Sequence, residues 1–215
     1  MKRSALLLIL ALLVPAFSAA QFIRGWGIKG GAVAAHQAFY YTPGYTSPGI
    51  PRDVRWGMYA GVFVEFLNLP TVSIALEGAY VQKGRKVSAE EVSRSPAESG
   101  YLSTGPPGLT PRLEYLTFAF IIKARGGNRG LVPYLALGPR FDFKLSRNGD
   151  AEEVFRNFKR SDIGIVFGGG LEIIPRRLPA LSFEIRWSPS FSRAFSNDIL
   201  IVKNQTIDLL GAVWL

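Results

Sequence analysis

Between Arg112 and Leu145 the chain alternates, residue by residue, between two chemically different faces. Tyr134, Ala136, Gly138, Arg140, Asp142 and Lys144 fall on one; Leu135, Leu137, Pro139, Phe141, Phe143 and Leu145 fall on the other. A repeat of two marks an extended strand, whereas a helix would scatter these charges around its axis. Gly126-Gly127-Asn128 reads as a tight turn between the two halves, so the segment is a hairpin. In a soluble sheet the apolar face turns inward onto a core. Here the same pattern recurs along the chain, charges occupy the face that should be inside, and no helix is available to cover the other. The architecture that fits is all-β: an up-and-down antiparallel β-barrel in a membrane, apolar outward and polar inward.

Taken in order, Trp26 to Ala35 is a glycine-rich first strand with Lys29 on its inner face. Trp56 to Leu67 follows, with Met58, Val62 and Val64 outward and Tyr59, Phe63 and Glu65 inward. In Val72 to Lys83, Ile74, Leu76 and Tyr80 oppose Ser73, Ala75 and Glu77. The hairpin supplies the fourth and fifth strands, Ser161 to Ile174 the sixth, Leu181 to Ser192 the seventh and Thr206 to Leu215 the eighth. Each of these roughly eight strands is near the ~9–11 residues that a tilted membrane strand needs. Connections alternate: long after the first, third, fifth and seventh strands, short after the second, fourth and sixth. Outer-membrane barrels have this asymmetry, with short periplasmic turns, long external loops and both termini in the periplasm. Trp26, Trp56, Tyr80, Phe141, Phe143 and Trp187 suit aromatic girdles at the membrane surfaces. Pro139 and Pro189 lie within strands and, lacking a donor, are expected at the rim or at bulges. Trp214 falls on the inner face by strict alternation, which suggests a register shift in the last strand.

The first twenty residues read as a signal peptide: Lys2 and Arg3, an apolar run from Ala5 to Val14, then Ser18-Ala19-Ala20 before Gln21. Residues 21–215 are then one outer-membrane barrel domain, and the localisation is the outer membrane. There is no cysteine, which excludes disulfides, thiolate catalysis and cysteine-ligated metals. Removing Lys2 and Arg3 takes the net charge from +9 to +7. Much of the excess falls in predicted loops and turns, including Arg52, Arg55, Arg85, Lys86, Arg94, Arg156, Lys159 and Arg160. Either these are solvated tips, or they attract outer-membrane lipid headgroups and lipopolysaccharide phosphates. Nucleic acid is a poor partner for an exported chain.

The inner face collects Glu65, Glu77, Asp142, Asp162, Glu172, Glu184 and Asp208 against Lys29, Arg140, Lys144 and Arg186. A barrel of about eight strands is just wide enough for side chains to fill it. These charges are therefore expected to pair as a structural network that plugs the lumen, the alternatives being a narrow pore or a proton pathway. No catalytic, cofactor or metal site emerges. The single histidine, His36, has no serine or acid two to four positions away on its face. Gly168-Gly169-Gly170 lacks the lysine and helix of a phosphate loop and reads as strand glycines beside large inner side chains. Glu184 and Asp208 as glycosidase carboxylates would sit in a closed lumen without substrate access. The loops Tyr40 to Pro51 and Val87 to Pro111 are the candidate contacts for a protein partner.

An ordered set of motifs carries a resemblance: IKGGAVA in the first strand, LEGAYVQKGRK in the third, LEYLTFAFIIKAR in the fourth and PYLALGPRF in the fifth. SDIGIVFGGGLEI and LSFEIRW continue it through the sixth and seventh. Together they cover nearly all of the mature chain, and it resembles the PorT-type outer-membrane β-barrel family, porin-family proteins common in Bacteroidota. The resemblance implies a small barrel of the OmpA and OmpX class, mostly without assigned activity. The namesake's link to secretion across the outer membrane is not carried over. The chain departs from the pattern in its Trp-Leu ending, where a terminal aromatic is usual.

Overall fold

Two-residue alternation draws the chain into strands along nearly its whole described length. In a computed structural model these are β1 (Ile23–Tyr41), β2 (Arg55–Phe66), β3 (Val72–Gly84), β4 (Arg112–Arg125) and β5 (Gly130–Arg147). β6 (Ser161–Ile174), β7 (Leu181–Pro189), the two-residue β8 (Phe195–Ser196) and β9 (Leu200–Trp214) complete the set. The structure describes residues 23–41, 54–67, 69–84, 112–127, 129–147, 159–175, 178–193, 195–196 and 200–215. The expected signal peptide and nearly all of the two candidate partner loops lie outside them.

Each long strand pairs antiparallel with the next, in the order β1 to β7 and then β9, and β9 pairs back onto β1. Eight long strands thus close into a barrel, with β8 a spur on β9 at Phe195↔Val202. The closing seam runs from Gly27↔Trp214 to Tyr41↔Leu200 without a shift, and the Leu215 amide extends it by donating to the Trp26 carbonyl at 2.9 Å. Closure matters because an open edge would leave a row of unpaired backbone groups in lipid.

The sequence pattern is inside out relative to a soluble protein, and so is the burial. Glu65 and Asp142 are 0% exposed, while Leu135 and Phe183 are each 62% exposed. An apolar band of that size around a whole barrel is too large for a water-facing surface, and lipid is the solvent that fits it. No helix among the described residues is long and apolar enough to cross a membrane. The hairpin turn between β4 and β5 enters β5 through Gly130 at φ 71°, a conformation that a Cβ would oppose.

Two expectations are corrected, for Pro139 and Trp214, and one holds, for Pro189. Pro139 is neither at the rim nor at a bulge; it faces outward within β5, paired with Ile165 of β6. Pairing with β4 lapses over two residue pairs, Phe120 opposite Pro139 and Ile121 opposite Gly138, and resumes in the same register at Ile122↔Leu137, so no realignment follows. Pro189 does sit at a strand end, closing β7, and a single bridge, Gly164↔Ser190, carries the contact onward. Trp214 involves no register shift. The β1–β9 register is unbroken and Trp214 is buried inside the barrel, its ring edge-on to Phe63 with centroids 5.0 Å apart.

Candidate functional site in the barrel lumen

Long charged side chains can cross a barrel only where their neighbours on adjacent strands are small. Lys29 lies between Gly61 and Ala212, Glu184 faces Gly170, and Arg186 faces Gly168. A Cβ on Gly168 would lie 3.0 Å from Arg186 Cγ, and one on Gly170 2.8 Å from the Tyr134 hydroxyl. Gly168 and Gly170 are therefore clearance within β6 for side chains that cross the lumen, while Gly169 between them faces outward beside Leu135.

Three layers of polar side chains result. In the middle, Arg186 forms two parallel bonds to Glu77, Nη1 to Oε2 at 2.6 Å and Nη2 to Oε1 at 2.7 Å, and its Nε binds Glu184. Lys29 Nζ bridges the same two carboxylates at 2.6 and 3.1 Å. Tyr59 donates to Glu77 at 3.2 Å and Tyr134 to Glu184 at 2.9 Å. Two cations meet two carboxylates here, and the layer is neutral.

Toward the short turns, Glu65 and Glu172 hold Arg24, Lys123 and Arg125. Arg24 bonds Glu65 at 2.6 Å and Glu172 at 3.1 Å, and Lys123 lies 3.3 Å from each. Arg125 pairs with both carboxylates, and Ser73 donates to Glu65 at 2.6 Å. Trp214 floors this layer, with Lys123 5.2 Å and Arg24 5.8 Å from its ring centroid.

Toward the long loops, Asp142 takes Lys83, Arg140 at 3.1 Å and the Thr117 hydroxyl at 2.7 Å. Asp162 is held by uncharged donors: Ser190 at 2.7 Å, Asn204 at 3.0 Å and Ser192. Asp208 accepts from Ser188 at 3.3 Å through one oxygen, while its buried Oδ1 has no hydrogen-bond partner among the described residues. Asp208 lines a small cavity, about 10 Å³, together with Thr206, Arg140 and Lys83. This is room for about one water.

All but one of the inner-face residues named from the sequence are buried in these layers: Lys29, Glu65, Glu77, Arg140, Asp142, Asp162, Glu172, Glu184, Arg186 and Asp208. Lys144 shares their parity but is half-buried near the rim, its amide donating to the Arg160 carbonyl at 2.8 Å. Glu184 and Asp208 are in different layers. His36 is half-buried on β1 opposite Gln205. The cations Arg24, Lys83, Lys123 and Arg125 were missed, and continuing the period of two from Glu77 to Lys83 would have found at least one of them. Among the described residues no group of three His, Cys, Asp or Glu could hold a metal ion.

A closed barrel with apolar skin and charged interior has counterparts among known proteins. A family model described as "Outer membrane protein beta-barrel domain" matches residues 20–196. The chain belongs to that outer-membrane β-barrel family. The structure of Neisserial surface protein A is similar, with 10% identity and a TM-score of 0.50 over 90% of this chain and 99% of that one. OprG of Pseudomonas aeruginosa has 12% identity and a TM-score of 0.49 over 90% and 97%. OmpW of E. coli has 10% identity and a TM-score of 0.42 over 88% and 96%. No match was found among the curated proteins.

In an outer-membrane barrel the short turns face the periplasm, so the Trp214 layer is the periplasmic floor and the Asp142 layer the outer one. The outer layer holds three carboxylates against Lys83 and Arg140, and Asp208 is the one with an orphaned oxygen. Asp208→Asn is therefore expected to leave stability unchanged or raise it by about 1 kcal/mol, since it removes a poorly compensated buried charge. Urea unfolding in phospholipid vesicles reads this; a loss above about 2 kcal/mol would show that Asp208 is an essential counter-ion.

Proposed function

We propose that the protein is a non-enzymatic, non-conducting outer-membrane barrel that acts through its long-loop end, contacting lipopolysaccharide or a protein partner. The observation that carries this is the middle layer, where Arg186, Glu77, Lys29 and Glu184 are bonded across the lumen. An ion crossing there would have to break several charge-assisted bonds in a water-poor interior. Planar-bilayer recording tests it: the folded wild type is expected to give no discrete conductance steps. Steady single-channel openings would instead favour the second reading, a narrow channel or an accessory of a secretion system.

The ordered strand motifs support placing the chain with PorT-type barrels of Bacteroidota, and Lys2 to Ala20 support export by a cleaved signal peptide. Amino-terminal sequencing of the protein from outer-membrane fractions is expected to start at Gln21.

A further inference from the structure

The lipid-facing surface is not uniform around the barrel. On the β9–β1 side it is smoother along the middle of β1: Gly30, Ala32, Ala34 and Ala38 face outward, with Gly211 of β9 beside Gly30, although Ile28 of β1 and Ile207 and Leu209 of β9 are 45–51% exposed there. On the β5–β6–β7 side it is bulky. Phe141, Phe143, Leu145 and Ile163 are 44–57% exposed, and Phe191 is 62% exposed. These residues are contiguous, because Phe141 pairs with Ile163, Phe143 with Ser161, and the Phe191 amide donates to the Ile163 carbonyl at 2.8 Å.

The cations differ in what engages them. Arg55 of β2 donates to the Lys83 carbonyl at 2.9 Å, Lys203 of β9 lies 5.7 Å from the Tyr40 ring centroid, and on β4, next to β5, Arg112 pairs with Glu114 at 2.8 Å. Directly above the bulky apolar patch, Lys159, Arg160 and Arg193 are exposed, and none makes an ion pair among the described residues. They converge on the start of β6. Arg160 is anchored there through its carbonyl to Lys144, and Arg193 follows Ser192, whose hydroxyl accepts from the Ile163 amide at 2.9 Å.

Unpaired cations set over a broad apolar skirt complement an amphiphile with phosphates directly above several acyl chains. We propose that this sector, Lys159, Arg160 and Arg193 above Phe141, Phe143, Leu145 and Phe191, is a docking site for the lipid A part of lipopolysaccharide. The site rests on the surface-contact reading above and assigns it one face of the barrel. The guanidinium groups bind phosphate oxygens, and the phenyl rings and Leu145 pack against the acyl chains.

The test uses the folded mature barrel in phosphocholine nanodiscs, titrated with diphosphoryl lipid A and followed by native mass spectrometry. K159E/R160E/R193E is expected to weaken binding about 100-fold, from a factor of roughly five for each cation near an anionic lipid surface. K203E, on the smooth side, is expected to change it less than threefold, and millimolar inorganic phosphate is expected not to compete. Retained affinity in the triple variant overturns the site, as does an equal loss in K203E, which would mean diffuse attraction. Competition by phosphate would reduce it to a simple anion patch and overturn it too. Lys159, Arg160 and Arg193 are exposed and Lys203 is half-buried, and an unboiled fast-migrating gel band confirms folding of each variant. Failure of the wild type to bind any lipid A overturns the site alone, since the sealed-lumen reading stands or falls on the conductance record.

Discussion

Replacing Arg186 by methionine is expected to cost about 3–5 kcal/mol of barrel stability, because Glu77 and Glu184 are left with Lys29 alone of the two cations they share, in a layer sealed from water. Arg186 binds both carboxylates and is 2% exposed. The loss should be read as a lower urea midpoint for the conversion of the fast-migrating folded band, in phospholipid vesicles. The informative companion replaces Lys29, Glu77, Glu184 and Arg186 together by apolar residues of similar size. Removing a complete buried ion set commonly costs little or even stabilises, so the fourfold variant is expected to outlast the single one. If Arg186→Met costs less than about 1 kcal/mol, the layer is wet and its charges are solvated, and the sealed lumen is wrong.

The second large effect is steric. Gly138 packs so closely on β4 that a Cβ there would lie 1.8 Å from the Phe120 carbonyl oxygen and 3.0 Å from Ile121 Cα. Both are backbone atoms and cannot rotate away. Gly138→Ala is therefore expected to push β4 and β5 apart where Pro139 already interrupts their pairing, at about 2–3 kcal/mol. Gly211→Ala is the control: the nearest atom to its added Cβ is the Ser182 carbonyl oxygen at 3.9 Å. It is expected to be neutral or stabilising by up to about 1 kcal/mol, because alanine loses less conformational freedom than glycine on folding. Equal behaviour of the two variants in the same urea assay would mean that the β4–β5 contact yields freely.

Strands were legible wherever the two faces differ in polarity. β6 has the same bounds, Ser161 to Ile174, from the pattern and from the structure. The expected first strand stopped at Ala35 while β1 runs to Tyr41, and the expected last strand began at Thr206 while β9 begins at Leu200. The reason is common to both. His36 and Gln37 on one side of the seam, and Lys203, Asn204 and Gln205 on the other, are polar on both faces. Alternation fades there although the ladder continues. Which charges lie inside was likewise readable from parity, but which charges meet was not. Lys29 binds Glu77 and Glu184, yet its neighbours along the sheet are Gly61 and Ala212. Partners across a lumen depend on how far each strand is staggered around the barrel, a quantity that no single strand's sequence contains.

The β1–β9 seam also governs time. It joins Gly27 to Trp214, residues separated by nearly the whole chain, and until it forms both strands are unpaired edges. Contacts of such sequence separation are slow to make, because the loop entropy is lost before the pairing repays it. They are equally slow to undo once a continuous ladder must part along its full length. The durability of this barrel is therefore set by a rate, the opening of one seam, more than by the sum of its equilibrium contacts.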